Sequence, residues 1–267
     1  MEDTSSRPLA VVTGASSGIG YELAKQFAEA GFDLVVAAED DELHAAAREL
    51  ESLGATVASV QVDLASEDGV DELWRQIGKV GRPVDALALN AGIGAGGAFA
   101  TDTDLRDELK LIDLNVRSTV QLAKYAVRDM VERGRGRVLF MSSIASTMPG
   151  SFQAVYNASK SFVQSFALAL RDELKDTGVT VTSLMPGPTE TEFFDRADML
   201  DTKVGTSDKD DPADVARAGF EALMADKERA VAASLSTKAQ GRASRLLPDS
   251  VKARMHRRMA EPGSAKK

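Results

Sequence analysis

Seven short, almost wholly apolar runs alternate along this chain with stretches whose apolar residues recur at helical spacing, and few folds satisfy that pattern. The runs are Leu9–Thr13, Leu34–Ala38, Val57–Val62, Ala86–Asn90, Arg137–Ser142, Val179–Met185 and Ala230–Ser234. A strand that is apolar on both faces has to be covered on both, which is the situation of a parallel sheet. The stretches between them, Ile19–Ala30, Asp41–Leu53, Glu67–Val80, Asp104–Glu132, Val155–Thr177 and Pro212–Asp226, supply the crossover helices. Right-handed crossovers then give a doubly wound α/β fold, a three-layer sandwich about a seven-stranded parallel sheet. Ligands of such sheets bind beyond the strand C-termini. The segments at Gly14, Asn90, Ser143 and Pro186 all follow strands, so they are expected to meet in space.

The first of these segments reads Thr13-Gly14-Ala15-Ser16-Ser17-Gly18-Ile19-Gly20. It joins the apolar run Leu9–Val12 to a helix-period stretch beginning at Ile19. Free N–H groups and the positive end of a helix dipole make such a junction a site for a pyrophosphate. Glycine permits the tight turn and the close approach of backbone to ligand. The spacing is G-x-x-x-G-x-G, and alone it is a weak sign. The same residues also fit G-x-S-x-G, the nucleophile elbow of serine hydrolases, with Ser16 as nucleophile. That reading needs a histidine after a late strand, whereas His44 lies on a charged helix and His256 in a basic tail.

Ser143, Tyr156 and Lys160 form the second constellation. Lys at +4 shares a helix face with the tyrosine. Its charge is expected to favour the phenolate and draw the tyrosine pKa below about 10. A serine hydroxyl nearby holds a carbonyl oxygen and stabilises charge developing on it. Tyr21 and Lys25 repeat the tyrosine–lysine spacing, but the position thirteen residues earlier is Pro8, so this pair is read as structural. Ser142, next to Ser143, is also read as structural.

With these motifs and several others in order from Leu9 to Val231, the chain resembles the short-chain dehydrogenases/reductases. The matching residues are Gly14, Gly18 and Gly20, Asp63-Leu64, Asn90-Ala91-Gly92, Asn115, Ser143, Tyr156, Lys160, Pro186-Gly187, Thr189 and Thr191. The resemblance implies a Rossmann-type fold and a hydride transfer between a nicotinamide cofactor and a secondary alcohol or carbonyl group. Tyr156 would be the general acid/base, Ser143 the carbonyl holder, and Lys160 the partner of the ribose hydroxyls. Asn115 would carry a water that links Lys160 to solvent. Gly14, Ser16, Ser17, Gly18, Ile19 and Gly20 would hold the pyrophosphate, and Asp63 and Leu64 the adenine. Asn90, Ala91 and Gly92 would lie along the cofactor, and Pro186, Gly187, Thr189 and Thr191 around the nicotinamide and pyrophosphate. A dinucleotide-binding sensor or scaffold without catalysis is the alternative on the same fold.

The choice between NAD and NADP turns on Ala38-Glu39-Asp40 at the end of the second strand. No Lys or Arg occurs in that loop, and a carboxylate there repels a 2′-phosphate and accepts from a free 2′-hydroxyl. NAD is therefore expected, with Glu39 on the ribose and Asp40 as a helix N-cap.

Composition agrees with a single α/β domain. The chain has 267 residues, 43% apolar, with no cysteine and two histidines. Disulfides and thiolate ligands are excluded, no histidine-based metal cluster is expected, and a reducing cytoplasm suits the composition. No run of eighteen apolar residues suggests a membrane span, and the polar start lacks a signal segment. Residues 1–8 are expected to be a disordered arm and 9–236 the dinucleotide-binding catalytic domain.

Residues 237–267 form a basic extension, with nine Lys or Arg against two acidic residues. Leu247, Val251, Met255 and Met259 recur every four residues there, the mark of a basic amphipathic helix. It is expected to dock on the acidic body of the protein or on a sister subunit. Membrane contact is an alternative, and nucleic acid is not expected. A homo-dimer or homo-tetramer joined through the two long helices is implied by the resemblance. The segment from Glu190 to Asp211 is read as a substrate lid, with Phe193, Phe194, Met199 and Leu200 as its apolar residues and with Met148, Phe152 and Phe99 as further candidates for the lining.

Overall fold

The computed structural model of the chain describes residues 7–232 and 247–266. Seven parallel strands form one sheet in the order β3-β2-β1-β4-β5-β6-β7. They are β1 Leu9–Thr13, β2 Asp33–Ala38, β3 Val57–Gln61, β4 Ala86–Leu89, β5 Gly136–Met141, β6 Val179–Pro186 and β7 Arg229–Ala232. The order reverses between β1 and β4, and the crevice at that switch point opens at the C-terminal ends of both.

Strand alternation divides the core into two layers. Val11, Val35, Leu87 and Phe140 point into one, where Leu73, Leu122 and Met130 cover them. Val12, Val36 and Leu139 point into the other and meet Leu23, Phe27 and Leu223. Each strand is thus apolar throughout because each face has its own layer of helices.

The helices are α1 Gly18–Glu29, α2 Leu43–Ser52, α3 Glu67–Lys79, α4 Leu105–Ile112, α5 Thr119–Arg133, α6 Ala154–Glu173, α7 Phe193–Arg196, α8 Lys203–Thr206, α9 Pro212–Met224 and α10 Asp249–Ala260. Their starts follow capping chemistry. Ser66 accepts from the Gly69 N–H at 3.0 Å ahead of α3, and Asp211 accepts from Ala213 at 2.8 Å with Pro212 next to it.

Two expectations need correction. The long helix read over 104–132 is interrupted: Asp113–Ser118 winds as a π-turn between α4 and α5. An insertion of this kind carries no periodicity signal in sequence, yet it recurs at functional sites. Asp40 caps no helix, because α2 begins at Leu43 and the Asp40 carboxylate accepts from the Ser16 hydroxyl at 2.9 Å instead.

Of the N-terminal arm, residues 1–6 lie outside the described residues. Arg7 is held at the sheet edge, with its Nε donating to Gly31 O at 2.9 Å. Residues 233–246 and 267, including the end of the strand read over 230–234 and the start of the basic extension, also lie outside. The rest of that extension forms α10, which docks on the body of the same chain. Its last residue, Ala260, packs with Phe194, Ala197 and Met199 of the lid. Beyond it, Gly263 N–H donates to Asp201 Oδ2 at 2.6 Å and Lys203 N–H to Ser264 Oγ at 3.0 Å. Among the described residues no helix is long and apolar enough to cross a membrane.

Candidate active site

A cleft of about 400 Å³ lies at the C-terminal edge of the sheet. Of the apolar residues expected at the substrate end, Met148, Phe193 and Phe194 line it, whereas Phe99 and Leu200 are exposed to solvent and Met199 and Phe152 pack elsewhere. The cleft is lined by every catalytic and cofactor-binding residue named from sequence, with one exception. Asn115 stands behind it, buried to 2% exposure. The loop after β1 supplies the floor at one end. Gly14 N–H donates to Ala37 O at 2.7 Å, which ties the turn to β2. Gly18 takes a φ of +55°, which glycine adopts without strain. Gly20 lies against the Gly14 carbonyl so closely that a Cβ there would overlap it. Asn90 braces the turn from β4, its Nδ2 donating to Thr13 O at 2.9 Å and Gly14 O at 3.1 Å. Thr13 Oγ1 in return accepts from the N–H groups of Asn90 and Ala91, both at 3.0 Å.

Acidic groups gather at the ribose end. Asp40 Oδ1 is buried with no partner, while its other oxygen holds Ser16. Asp63 Oδ1 accepts from Ala65 N–H at 2.8 Å and shapes the turn into α3. Glu39 is exposed and does have a cation beside it, contrary to the loop reading: Lys110 Nζ, from α4, lies 3.2 Å from Glu39 Oε2. The two residues are far apart in sequence, so inspection of the loop alone misses the pair. Ser16 is engaged by Asp40, and no histidine bonds to it among the described residues, which removes the hydrolase reading.

The reacting end is built from β5 and α6. Ser143 follows β5 and its Oγ accepts from Ala145 N–H at 3.1 Å. Ser143 and Tyr156 both line this end of the cleft, and the serine side chain acts to lower the tyrosine pKa. Lys160 Nζ is 5.9 Å from the Tyr156 ring centre and donates to Met141 O at 3.0 Å. Burial pushes Tyr156 up to about 12, with the Ser143 side chain opposing. Burial also pulls Lys160 down to about 8. The expected lowering of Tyr156 by Lys160 is therefore not found in this chain alone. Removing the phenolate from water outweighs an ammonium that is itself poorly solvated.

Ser142 Oγ donates to Lys160 O at 3.2 Å and is structural, as expected. Tyr21 donates to Glu49 at 2.7 Å, a bond that accounts for the decoy pair. Asn115 lies in the π-turn. Its Oδ1 accepts from Ile93 N–H at 2.9 Å, and its Nδ2 donates to Ile93 O at 2.9 Å and Ser159 Oγ at 3.1 Å. The amide thus clamps the chain after Gly92 to the helix that carries Lys160.

The segment after β6 closes over the cleft. Thr189 is buried and its hydroxyl donates to Gly187 O at 3.0 Å. Thr191 leans on the glycine loop, its Cγ2 2.9 Å from where a Gly18 Cβ would stand. Phe193 packs on Tyr156, ring centres 5.1 Å apart.

Sequence reasoning missed Asn157, whose Nδ2 donates to Ala145 O at 3.1 Å and Met148 O at 3.2 Å. It staples the Ser143 loop to α6 one residue after Tyr156. Its neighbours on the helix, Gln153, Lys160, Ser161 and Gln164, are themselves polar, so no local pattern marked it. Met255, His256 and Met259 of α10 also line the cleft, and nothing local in sequence places them there.

A glycine-lined cradle at the switch point, joined to a tyrosine, a serine and a lysine at the opposite end, defines a dinucleotide-dependent oxidoreductase. The short chain dehydrogenase family model matches residues 8–199. Sulfoacetaldehyde reductase 2 of Chromohalobacter salexigens is 34% identical over 69% of this chain and 74% of its own length. A short-chain dehydrogenase of Sphingobium yanoikuyae, solved with NADPH, superposes with a TM-score of 0.78 at 29% identity, covering 84% of this chain and 87% of that one. A bulky-bulky ketone specific alcohol dehydrogenase of Comamonas testosteroni gives 0.75 at 25% identity, covering 90% and 95%. The chain belongs to the short-chain dehydrogenase family. It is an oxidoreductase that uses a nicotinamide cofactor on alcohol or carbonyl groups.

The residues present fit that cofactor. The space beside Gly14 and Gly20 excludes any side chain, and Asp40 keeps a buried oxygen without a partner.

Proposed function

We propose that Tyr156 is the general acid/base of this enzyme, assisted by Ser143 and Lys160, and that the substrate is neutral and largely apolar. The observation that supports this most is the convergence of Ser143, Tyr156 and Lys160 in the cleft shared with the glycine loop. The nicotinamide, when bound, gives or takes the hydride. In reduction the Tyr156 phenol gives its proton to the carbonyl oxygen as the hydride arrives at carbon. In oxidation the phenolate takes the hydroxyl proton. Ser143 holds the same oxygen and stabilises its growing charge. Lys160 binds ribose hydroxyls. The clamp of Asn115 keeps the backbone past Gly92 and the Lys160 helix in register. Phe193 and the α10 methionines shield the reacting atoms from water.

NAD rather than NADP is the cofactor of this reading. Glu39 and Asp40 bring two carboxylates to the ribose end, and Lys110 is already paired with Glu39. The NADPH bound to the Sphingobium relative leaves that preference resting on the acids alone. The enzyme acts as a homo-oligomer in the cytoplasm, a setting that the absence of cysteine suits.

Tyr156→Phe tests the central role. Turnover is expected to fall at least about a hundredfold, while NADH binds as it does to the wild type. A variant with near wild-type kcat removes Tyr156 from the chemistry. Titration with NADH and NADPH tests the cofactor choice, and tighter binding of NADPH overturns the assignment to Glu39 and Asp40.

A further inference from the structure

Helix α10 and the loop just ahead of Tyr156 are fastened together. Ser151 Oγ donates to Ala253 O at 3.1 Å, and His256 Nδ1 lies 2.9 Å from Ser151 O. The Arg257 guanidinium stacks 4.9 Å over the Phe152 ring. Phe152 itself takes a φ of +66°, a strained value for an aromatic residue that the packed helix holds in place.

Because Ser151 O can only accept, Nδ1 must carry the hydrogen, and Nε2 of the neutral ring is left as an acceptor. Burial holds the His256 pKa below its ordinary value, with the Ser151 bond opposing, so the ring is neutral at pH 7. Nε2 makes no hydrogen bond among the described residues, and His256 lines the cleft. Gln153, three residues before Tyr156, is only 7% exposed and also lines it. Its side-chain amide likewise has no bond among the described residues, and its atoms are not sealed from solvent.

Around these two groups the cleft is apolar, with Met148, Phe193, Met255 and Met259. The cations among its described lining residues are Lys160 and Arg196. Lys160 is bound to Met141 O, and Arg196 is paired with Glu192 at 2.5 Å. An anionic substrate would find no unengaged cation at this end.

We propose that His256 Nε2, with the Gln153 amide, is a specificity site selecting neutral carbonyl compounds with an apolar body and a hydroxyl group set away from the carbonyl. The substrate hydroxyl donates to Nε2, and the Gln153 amide meets its oxygen. The proposal rests on the reading of the cleft as the substrate site, and it is tested by binding so that it stands apart from turnover.

The probes are straight-chain methyl ketones of increasing length, each with and without a terminal hydroxyl. They are titrated calorimetrically into the full chain saturated with oxidised cofactor, where a ketone cannot react. At one chain length the hydroxyl is expected to tighten Kd about tenfold, the scale of one buried hydrogen bond. His256→Asn keeps an amide N–H for Ser151 O and removes only the nitrogen facing the cleft. It should erase that gain and leave the plain ketone within about twofold. Gln153→Leu should reduce the gain in the same selective way.

The proposal is overturned if no chain length shows a gain, if no probe binds, or if the gain survives His256→Asn. It is also overturned if both probes weaken equally, which would mark His256 as a structural tether only. Wild-type protein that binds the hydroxyketone but turns over no ketone would refute the Tyr156 mechanism and leave the specificity site standing.

Discussion

Tyr156 and Lys160 show what a shared dry environment does to opposite kinds of acid. Burial raises the phenol to about 12 and lowers the ammonium to about 8. Both shifts favour the neutral form. The sign for catalysis follows from which form each direction uses. Oxidation needs the phenolate, so its rate should climb nearly tenfold per pH unit through neutrality, with the positive nicotinamide moving the midpoint down. Reduction needs the phenol and should stay level over the same range. A plateau for oxidation already reached at neutral pH would contradict the raised pKa. Asn157 matters in another way. Its replacement by Ala leaves the Met148 carbonyl without a donor and Ala145 O with only the Met148 N–H at 3.4 Å, at a cost of about 1–3 kcal/mol where the Met148 carbonyl stays dry. Denaturant unfolding should show that loss, and kcat should fall with it as the Ser143 loop drifts from α6.

At the scale of elements, the strands were legible because covering both faces of a sheet demands apolar residues at every position. Val11 and Val12, or Val35 and Val36, serve opposite layers, so each run reads as continuous. Helix starts were legible where Ser66 and Asp211 stand, because a cap is a local device. The π-turn was not, since one extra residue per turn leaves no mark among Leu111, Leu114 and Val116. Nor was the pairing of Glu39 with Lys110, which depends on where α4 lands and not on either neighbourhood. The motif residues that the cleft brings together could be named from short patterns, while Met255, His256 and Met259 of α10 join its lining only through the tertiary arrangement.

The loop opening α1 gives a test at this scale. Gly20→Ala drives a Cβ into the Gly14 carbonyl and the Asn90 amide. Overpacking of this kind costs about 1–3 kcal/mol, so Tm should fall and NADH affinity should drop at least tenfold, about 1.4 kcal/mol. Unchanged NADH binding would mean the loop is not the cofactor cradle.

For the molecule as a whole, one face is left unusually apolar. Leu105, Leu109 and Ile112 recur along α4 with exposures of 66%, 49% and 40%, and Phe162 on α6 is 43% exposed. This face is the basis for proposing a homo-oligomer through the long helices. Leu109→Asp should shift the sedimentation coefficient to that of the monomer, and a wild-type protein that is already monomeric would refute the assembly.

The placement of α10 also sets an order of events in synthesis. Strands β1 to β6, the glycine loop and Tyr156 all lie upstream of β7, so a nascent chain can assemble them before α10 is made. The wall carrying His256 emerges afterwards. Until then the side of the cleft that Met255, His256 and Met259 line would stand open to water.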